Sequence, residues 1–484
     1  MKRKSWFLSK LTKISWLTNH LGGYIFMSKT KIIVVGASHG GHQSVLELTR
    51  KYKDLDIKLF EAGDFISFMS CGMELYLENS VTDVNDVRNF KPEDLEKRGA
   101  EVYANHEVTK IDADKKQVAV KDLKSGETQN YDYDKLILSS GVTPNDLPVP
   151  GHDLENVYLM RGKDWAEKIK AKLTDPAVKN ITVIGAGYIG IEAAEASTKA
   201  GKHVTLIDMI DRPLGNYLDA DLTDVIAKEL ADKGVDVVTG AKIESYEGAG
   251  KVTAVKTSDA EYPSNLVIQA AGVKPNTEWL KGTVDLDARG WIETDEYLRT
   301  NLPDVYAMGD AVLAYSIPAQ TKMPIALATV VRREARYVVE HIFENTPSVP
   351  FQGVVGSSAL SVFDYHFASS GLNTTTAKKA GVTIKTSFYK DTLRPAYVPA
   401  EKGNPDVYVG LDFDPQTHKI LGGAVLSTYD ITAQGNVIAL AVQQGLRLED
   451  LAQADFFFQP GFDRQWSLLN LAAQHALGEP EFTK

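Results

Sequence analysis

Two glycine-rich turns, each between an apolar run and a helical pattern, constrain the fold of this chain more than any other feature. The first turn, Gly36–Gly41 (GASHGG), follows the apolar run Lys31–Val35, and the second, Gly185–Gly190 (GAGYIG), follows Asn180–Ile184. An apolar β-branched run, a glycine turn and a helix are typical of a parallel βαβ unit. Two such units, about 150 residues apart, predict an α/β fold with two Rossmann-like domains.

Each unit also carries an acid at the end of its second strand, Glu61 in the first and Asp208 in the second. A glycine turn lets the backbone approach a pyrophosphate at a helix N-terminus, and an acid about 20 residues later accepts hydrogen bonds from ribose hydroxyls. Both units are therefore predicted to bind dinucleotides, although Ser38 replaces the middle glycine of the first turn. Asp208 favours a free 2′-hydroxyl, and hence NADH over NADPH, while the nearby Arg212 weakens that preference.

The 484 residues contain one cysteine, Cys71, which excludes an intramolecular disulfide, a CxxC pair and any multi-cysteine metal site. The helix formers at 73–78 place Cys71 at a predicted helix N-terminus, where a thiol pKa is lowered. The alternatives are a structural thiol, a thiolate that cycles through sulfenic acid, and a mixed disulfide with a small thiol. His39, within the first glycine turn, is predicted to lie beside Cys71 and to donate a proton or stabilise the sulfur anion.

The overall charge and the N-terminus bear on partners and location. Sixty-four acidic residues against 53 basic ones give a formal net charge of -11, which argues against nucleic acid or an anionic membrane as the main partner. Residues 1–26 are basic but lack the uninterrupted apolar run of a secretory signal. We expect a functional start at Met27 and a cytoplasmic protein, with weak membrane adhesion of residues 1–26 as the alternative.

Several longer stretches resemble a known family of flavoproteins. They are Asp64–Leu77 (DFISFMSCGMELYL), Gly185–Glu195 (GAGYIGIEAAE), Asp211–Leu218 (DRPLGNYL) and Asp455–Trp466 (DFFFQPGFDRQW). From Lys31 to about Ala473 the chain resembles the pyridine nucleotide-disulfide oxidoreductases that include NADH peroxidase, water-forming NADH oxidase and CoA-disulfide reductase. The resemblance implies a glutathione-reductase-like plan, with FAD and NADH as cofactors and a C-terminal α+β interface domain. The implied boundaries are an extension at 1–26, an FAD domain at 27–148 and 273–348, an NAD domain at 149–272 and the interface domain at 349–484.

The same resemblance implies a set of site residues and no metal. The catalytic residues would be His39, Cys71 and Arg332. FAD would be held by Gly36, Ser38, His39, Gly40, Gly41, Glu61, Cys71, Ser140, Gly141, Arg161, Asp310 and Ala328. NADH would be held by Gly185, Gly187, Tyr188, Gly190, Asp208, Gly272 and Gly356, with Tyr188 as a gate over the flavin. The family is homo-oligomeric, so a homodimer or homotetramer is expected, with Phe456–Pro460 directed towards a neighbouring subunit's flavin.

The activity expected from the resemblance is an NADH peroxidase. Hydrogen peroxide would oxidise Cys71 to a sulfenic acid, and NADH would reduce it again through FAD. The GASHGG turn and the FDRQW stretch favour this activity, whereas Gln43 stands where such peroxidases tend to have a glutamate that pairs with the arginine. The alternatives are a water-forming NADH oxidase, then a CoA-disulfide reductase, and, outside enzymes, a flavin-bound redox sensor.

Overall fold

The computed structural model describes residues 29–479, so the predictions for residues 1–26 and Met27 lie outside the described residues. Residues 29–148 form strands β1 (Thr30–Val35), β2 (Leu55–Glu61), β3 (Ala100–Ala104), β4 (His106–Asp112), β5 (Gln117–Asp122), β6 (Thr128–Asp132), β7 (Lys135–Leu138) and β8 (Val142–Pro144). Their helices are α1 (His39–Lys51), α2 (Met73–Leu77) and α3 (Pro92–Glu96).

The remaining elements follow in chain order. Residues 149–272 contain β9 (Val157–Leu159), β10 (Asn180–Ile184), β11 (His203–Ile207), β12 (Val235–Val238), β13 (Ile243–Glu247), β14 (Ala254–Thr257), β15 (Glu261–Pro263) and β16 (Leu266–Gln269), with α4 (Lys163–Thr174), α5 (Tyr188–Lys199) and α6 (Ala220–Asp232). Residues 273–348 contain β17 (Val273–Pro275), β18 (Val305–Ala307), β19 (Ala314–Ser316), β20 (Thr321–Met323) and α7 (Ala328–His341). The C-terminal part contains β21 (Ser357–Val362), β22 (Tyr365–Gly371), β23 (Lys385–Thr392), β24 (Asp406–Phe413) and β25 (Ile420–Ser427), with α8 (Thr374–Ala380), α9 (Gln434–Gln444), α10 (Leu448–Ala452) and α11 (Leu468–Leu477).

The first glycine turn belongs to a parallel sheet in the order β18-β7-β1-β2-β3. The central strands carry its apolar residues, Ile32–Val35 in β1 and Leu136–Leu138 in β7, which are buried because both faces of the sheet are covered. Helices α1 and α7 pack on one face, and the antiparallel sheet β4-β5-β6 packs on the other. The turn therefore opens at the carboxyl end of the central strand, which is where ligands bind in such sheets.

The second glycine turn belongs to an equivalent parallel sheet, in the order β12-β11-β10-β16-β9. The antiparallel sheet β13-β14-β15 accompanies it. The chain enters this region after β8 and leaves it at β17, and these two strands pair with each other in antiparallel fashion. This pairing therefore brings the start and the end of the segment that carries the second turn next to each other.

The C-terminal part is an antiparallel sheet in the order β21-β22-β25-β24-β23, packed against α9 and α11. All eight residues of β25 are buried. Together with the two parallel sheets, this α+β unit confirms the predicted fold class. The domain boundaries given above remain a prediction. Among residues 29–479, no helix has both the length and the apolar character needed to cross a membrane.

Candidate active site

The two predicted ribose-binding acids are held by the same pattern of backbone hydrogen bonds. Glu61 accepts a hydrogen bond from the N–H of Ala37 at 2.8 Å and one from the N–H two positions after itself at 2.9 Å. Asp208 accepts the equivalent bonds from Ala186 at 2.5 Å and from the residue two positions on at 3.0 Å. Each carboxylate is thus tied to the residue that follows the first glycine of its turn. This fixes an anionic acceptor next to the predicted pyrophosphate site in both units.

The first glycine of each turn is required by close backbone approach. Gly36 has a φ of 92°, and a Cβ there would lie 2.2 Å from the carbonyl oxygen of Ser139. Gly185 has a φ of 102°, and a Cβ there would lie 2.5 Å from the carbonyl oxygen of Ala270. A residue with a side chain would be both strained and obstructed at either position. The first glycines therefore let the neighbouring parallel strands pack at the turn.

The middle and last positions of the turns differ in what they require. A Cβ at Gly190 would lie 1.7 Å from the carbonyl oxygen of Gly185, and one at Gly41 would lie 1.8 Å from that of Gly36, so these glycines serve helix packing. A Cβ at Gly187 would meet nothing closer than 3.9 Å. The protein itself therefore leaves room for a Cβ at Gly187, where the first turn has a serine, Ser38.

A cavity of about 1040 Å³ opens at the first turn. It is lined by six of the residues predicted to bind FAD, namely Gly36, Ser38, Glu61, Ser140, Gly141 and Arg161. Its volume is at the upper end of the range for small-molecule sites. The buried Ser140 Oγ has no hydrogen-bond partner among the described residues, so a donor or acceptor is available to a ligand. The glycine cradle, the tethered Glu61 and this free hydroxyl fit a dinucleotide such as FAD.

The other residues predicted to bind FAD lie around this cavity rather than on its lining. Asp310 joins it through Arg161, whose guanidinium donates to the Asp310 carboxylate at 3.1 Å. Gly40 is buried, and a Cβ there would lie 2.2 Å from Ser139 Oγ, so this glycine serves packing. Ala328 is the first residue of α7.

Arg332 links the two groups predicted to carry out the chemistry. Burial is the largest cause that lowers the pKa of His39; the charge of Arg332 lowers it further, and Asp310 raises it. The same Arg332 charge opposes the burial that raises the pKa of Cys71. Arg332 Nε and His39 Nδ1 are buried without a hydrogen-bond partner in the described chain. The three predicted catalytic residues therefore share one electrostatic environment, in which His39 is held neutral at neutral pH.

The pKa of Cys71 departs from the prediction. The thiol lies in a 3-10 turn at Ser70–Gly72, before the five-residue helix α2, and is exposed in the chain. The surrounding protein nevertheless raises its pKa by desolvation, and Glu192 raises it further, while Arg332 opposes both. The prediction of a lowered pKa was therefore wrong for the chain itself. A single short turn supplies too little dipole to offset desolvation and a nearby carboxyl group.

An acidic cluster lies on the other side of Cys71. Burial and mutual repulsion raise the pKa of Glu192 to about 8 and that of Glu74 to about 7. Glu195 is buried, and Lys199 binds both it and Glu78, at 2.7 and 2.8 Å. The cluster joins the helix after Cys71 to α5, which begins at the second glycine turn.

His42 is a site residue that the sequence reasoning missed. It is 1% exposed, its Nδ1 lies 3.0 Å from Ser67 Oγ, and its ring centroid lies 5.6 Å from that of His39. Burial lowers its pKa to about 3, with His39 and Arg332 contributing. The spacing of His39 and His42 on α1 is the only sequence signal that could have indicated this neighbour.

Gln43 does not take over the role expected of a glutamate at its position. Its amide donates to Glu47 at 3.0 Å, one turn further along α1. Arg332 Nε keeps no hydrogen-bond partner among residues 29–479. The positive charge beside His39 is therefore free to act on the thiol.

Tyr188, the predicted gate, is held by residues from two other parts of the chain. Its hydroxyl lies 2.6 Å from Ser358 Oγ and 3.2 Å from Ser369 Oγ, both on the C-terminal sheet. Its ring stacks on that of Tyr217, with centroids 3.9 Å apart and an interplanar angle of 15°. Neither serine carries a local sequence signal, whereas Tyr217 lies within the DRPLGNYL stretch.

Two further residues predicted to bind NADH, Gly272 and Gly356, lie in loops directly before strands. Gly272 precedes β17, and its carbonyl oxygen accepts a hydrogen bond from the N–H of Asn145 at 3.0 Å. Gly356 precedes β21 and lies two positions before Ser358, which contacts Tyr188. Their part in binding NADH remains a prediction.

Comparison with known proteins shows to which family this chain belongs. The family profile "Pyridine nucleotide-disulphide oxidoreductase" matches residues 30–335, and the dimerisation domain of the same family matches residues 357–468. The chain belongs to the pyridine nucleotide-disulphide oxidoreductase family. Members of this family depend on FAD, and the chain is accordingly an NADH-dependent flavin oxidoreductase. The dimerisation domain further indicates that this family member is an oligomer.

Individual relatives within the family are similar over almost their whole length. An NADH oxidase from Enterococcus faecalis is 39% identical, covering 92% of this chain and 99% of the relative. The structure of a water-forming NADH oxidase from Lactobacillus brevis, bound to NADH, superimposes with a TM-score of 0.88 at 37% identity, over 93% of this chain and 98% of that one. An NAD(P)H coenzyme A polysulfide/persulfide reductase from Pyrococcus horikoshii is 28% identical, over 92% and 98%. Two of these three relatives are oxidases and one is a reductase, and none of their names includes peroxide.

Proposed function

We propose that this chain is a water-forming NADH oxidase, which reduces O2 to two molecules of water at the expense of two molecules of NADH. The similarity to NADH oxidases over more than nine-tenths of the chain supports oxygen as the acceptor. The shared environment of Cys71, Arg332 and His39 supports a thiol that completes the reduction to water. The sequence patterns favour peroxide over oxygen as the acceptor, whereas the names of the relatives support oxygen. An NADH-consuming enzyme with a single cysteine also fits the cytoplasm.

FAD, when bound, would accept a hydride from NADH and pass its electrons to the oxygen acceptor. Glu61 and Asp310 would hold its polar groups, while Ser140 offers a free hydroxyl. Tyr188 would cover the position that nicotinamide takes, held by its contacts with the C-terminal sheet. The chain would thus bind FAD and nicotinamide next to each other and exclude water from the place where they meet.

Cys71 would remove the peroxide that forms from oxygen. Because His39 is neutral and the thiol pKa is raised, the imidazole takes the thiol proton as sulfur attacks one peroxide oxygen. The S–O bond forms, the O–O bond breaks, and the imidazolium returns the proton to the departing hydroxide to give water. The Cys71 sulfenic acid then takes two electrons from a second NADH and two protons, which releases the second water and restores the thiol.

The ratio of NADH to O2 consumed tests this proposal. With an oxygen electrode and absorbance at the NADH band, the wild type is expected to consume two NADH per O2 without accumulating peroxide. Cys71→Ser should consume one NADH per O2 and release one H2O2, because only the thiol step is lost. Ser80→Ala, an exposed change nine residues on, serves as the matched control and should keep the wild-type ratio.

A peroxidase is the second candidate, since the Cys71–Arg332–His39 environment would support the peroxide step alone. It would oxidise NADH with added H2O2 and show no oxygen consumption. A two-to-one ratio that survives in Cys71→Ser would contradict the proposed role of the thiol in either enzyme. Absence of turnover with both acceptors would favour the flavin-bound sensor instead.

A further inference from the structure

A hydrogen bond between two buried side chains joins the helix that carries His39 to the segment that carries Cys71. His42 lies three residues after His39 on α1, and Ser67 lies four residues before Cys71. The Nδ1 atom of His42 lies 3.0 Å from the Oγ atom of Ser67, and both residues are 1% exposed. Either neutral tautomer of the imidazole can make this bond, because a hydroxyl group both donates and accepts.

The backbone at Ser67 has a conformation that needs support from its surroundings. Its φ is 58°, in the left-handed region that residues with a side chain seldom adopt. Such a conformation persists where neighbouring contacts over-determine it, and it is concentrated at functional sites. The N–H of Ser67 donates to the carbonyl oxygen of Ala37, inside the first glycine turn, at 2.9 Å. One backbone bond and one side-chain bond therefore hold the segment before Cys71 against the turn and α1.

The ring of His42 lies between two other rings. Its centroid lies 5.6 Å from that of His39, with an interplanar angle of 61°, and 5.3 Å from that of Phe90. Its Nε2 is buried without a hydrogen-bond partner among residues 29–479, so the bond to Ser67 is the one that fixes the rotation of the ring in the described chain. The outer torsion of a histidine has no sharp preference of its own, so this bond decides which edge of the ring packs against His39.

We propose that His42 is a positioning residue for the Cys71–His39 pair. Its bond to Ser67 and its contact with the His39 ring hold the imidazole and the thiol-bearing segment at the separation that proton transfer requires. Proton transfer needs hydrogen-bond reach, so a displacement of about 1 Å between the two segments costs much of the rate. Burial lowers the pKa of His42 to about 3, with His39 and Arg332 contributing, so the ring stays neutral and does not compete for the thiol proton.

The inference rests on the proposed reaction of Cys71 with peroxide, which is the same step in an oxidase and in a peroxidase. The holoenzyme, brought to its thiol form with one equivalent of NADH under anaerobic conditions, is mixed with H2O2 to isolate that step. Catalase and N-ethylmaleimide stop the reaction at set times. The intact mass then counts the remaining thiol, because the chain contains one cysteine.

His42→Phe keeps a ring beside His39 and loses the bond to Ser67. It should slow the reaction of Cys71 with H2O2 about five- to tenfold, the loss expected for one hydrogen bond. Reduction of the flavin by NADH, followed by stopped-flow absorbance, should stay within about twofold of the wild type, because that step does not use the thiol and the imidazole. A merely structural role would affect both steps.

Ser67→Ala removes the same bond from its other side and leaves His42 in place. It should slow the peroxide step to a similar extent, and the double variant should be no slower than either single variant, because both changes remove one interaction. His366→Phe is the matched control, since it breaks a histidine–serine bond of 2.8 Å, to Ser361 on the C-terminal sheet, and should keep the wild-type rate. FAD content is measured for each variant, because Ser67 lines the cavity at the first turn.

The outcomes separate this inference from the proposed function. An unchanged peroxide step in His42→Phe, additive losses in the double variant, or an equal slowing of flavin reduction would overturn the inference alone. A ratio of two NADH per O2 that survives in Cys71→Ser would overturn the proposed function, and with it the step that His42 serves. Slowing confined to the peroxide step and non-additive in the double variant would support the positioning role.

Discussion

Arg332 shows how much a single residue can decide at this site. Its charge favours the thiolate of Cys71 and disfavours the imidazolium of His39, which are opposite requirements for the same proton. Arg332→Met should therefore raise the thiol pKa and move the pH profile of Cys71 alkylation by iodoacetamide to higher pH. Arg332→Lys keeps the charge and serves as the control. An unshifted profile in Arg332→Met would show that the guanidinium does not act on the thiol.

Asp208 sets the choice between the two nicotinamide cofactors at the residue scale. Asp208→Ala removes the acceptor for the ribose hydroxyls and the repulsion of a 2′-phosphate, so the ratio of kcat/KM for NADH to that for NADPH should fall about 10- to 100-fold. Steady-state kinetics with both cofactors measure this ratio. Asp211→Ala, an exposed change three residues on, should leave it unaltered. An unchanged ratio in Asp208→Ala would place the specificity elsewhere.

At the residue scale, the sequence indicates which residues are candidates for the site better than it indicates their protonation states. Glu61, Asp208 and Arg332 could be singled out because their spacing or family pattern marks them, and their roles remain predictions. The raised pKa of Cys71 could not, because desolvation and the approach of Glu192 depend on how α5 packs against the turn at Cys71. His42 was missed for a similar reason, since a histidine on a helix carries no sign of its buried partner, Ser67.

The two glycine turns make a prediction at the scale of the element. Gly187→Ala should fold with an unchanged Tm, because its Cβ meets nothing within 3.9 Å, yet it should raise the KM for NADH about tenfold by keeping the pyrophosphate from the backbone. Gly185→Ala should lower the Tm by several degrees, because φ is 102° and a carbonyl oxygen lies 2.5 Å from the new Cβ. Differential scanning fluorimetry and NADH kinetics separate the two effects. Equal loss of stability in both variants would refute this division of roles.

Individual elements were predictable where local pattern determines them. Asn180–Ile184 and His203–Ile207 are strands with the bounds that their apolar runs indicate. The helix after Cys71 begins where its helix formers do, but a 3-10 turn precedes it. The order of the strands was not predictable in this way, because pairing such as β7 between β1 and β18 joins segments that are far apart in the chain.

At the scale of the whole molecule, a set of exposed aromatic side chains indicates where a second copy packs. Phe457 is 72% exposed and lies within Phe456–Pro460, the stretch that the family resemblance directs towards a neighbouring subunit's flavin; Phe462, two residues after that stretch, is 65% exposed. Changing both to Asp should convert the oligomer to a monomer and reduce turnover at least tenfold, because charges at the centre of an apolar interface are unpaired. Analytical ultracentrifugation measures the mass. Tyr397→Asp, on another exposed aromatic residue, is the comparison. An oligomer that persists in the double variant would contradict the assignment of this surface.

The antiparallel pairing of β8 with β17 has a consequence for how such a molecule can be changed. The two strands bring the start and the end of the predicted NAD domain, residues 149–272, side by side: Asn145 N–H donates to the carbonyl oxygen of Gly272 at 3.0 Å, and Asn276 N–H donates to that of Gly141 at 3.0 Å. A segment whose ends are neighbours can be removed or replaced without pulling its host apart. The predicted NAD domain can therefore be exchanged as a unit. A variant in which a short loop joins β8 to β17 would be a starting point for attaching a different electron donor to the same flavin and cysteine.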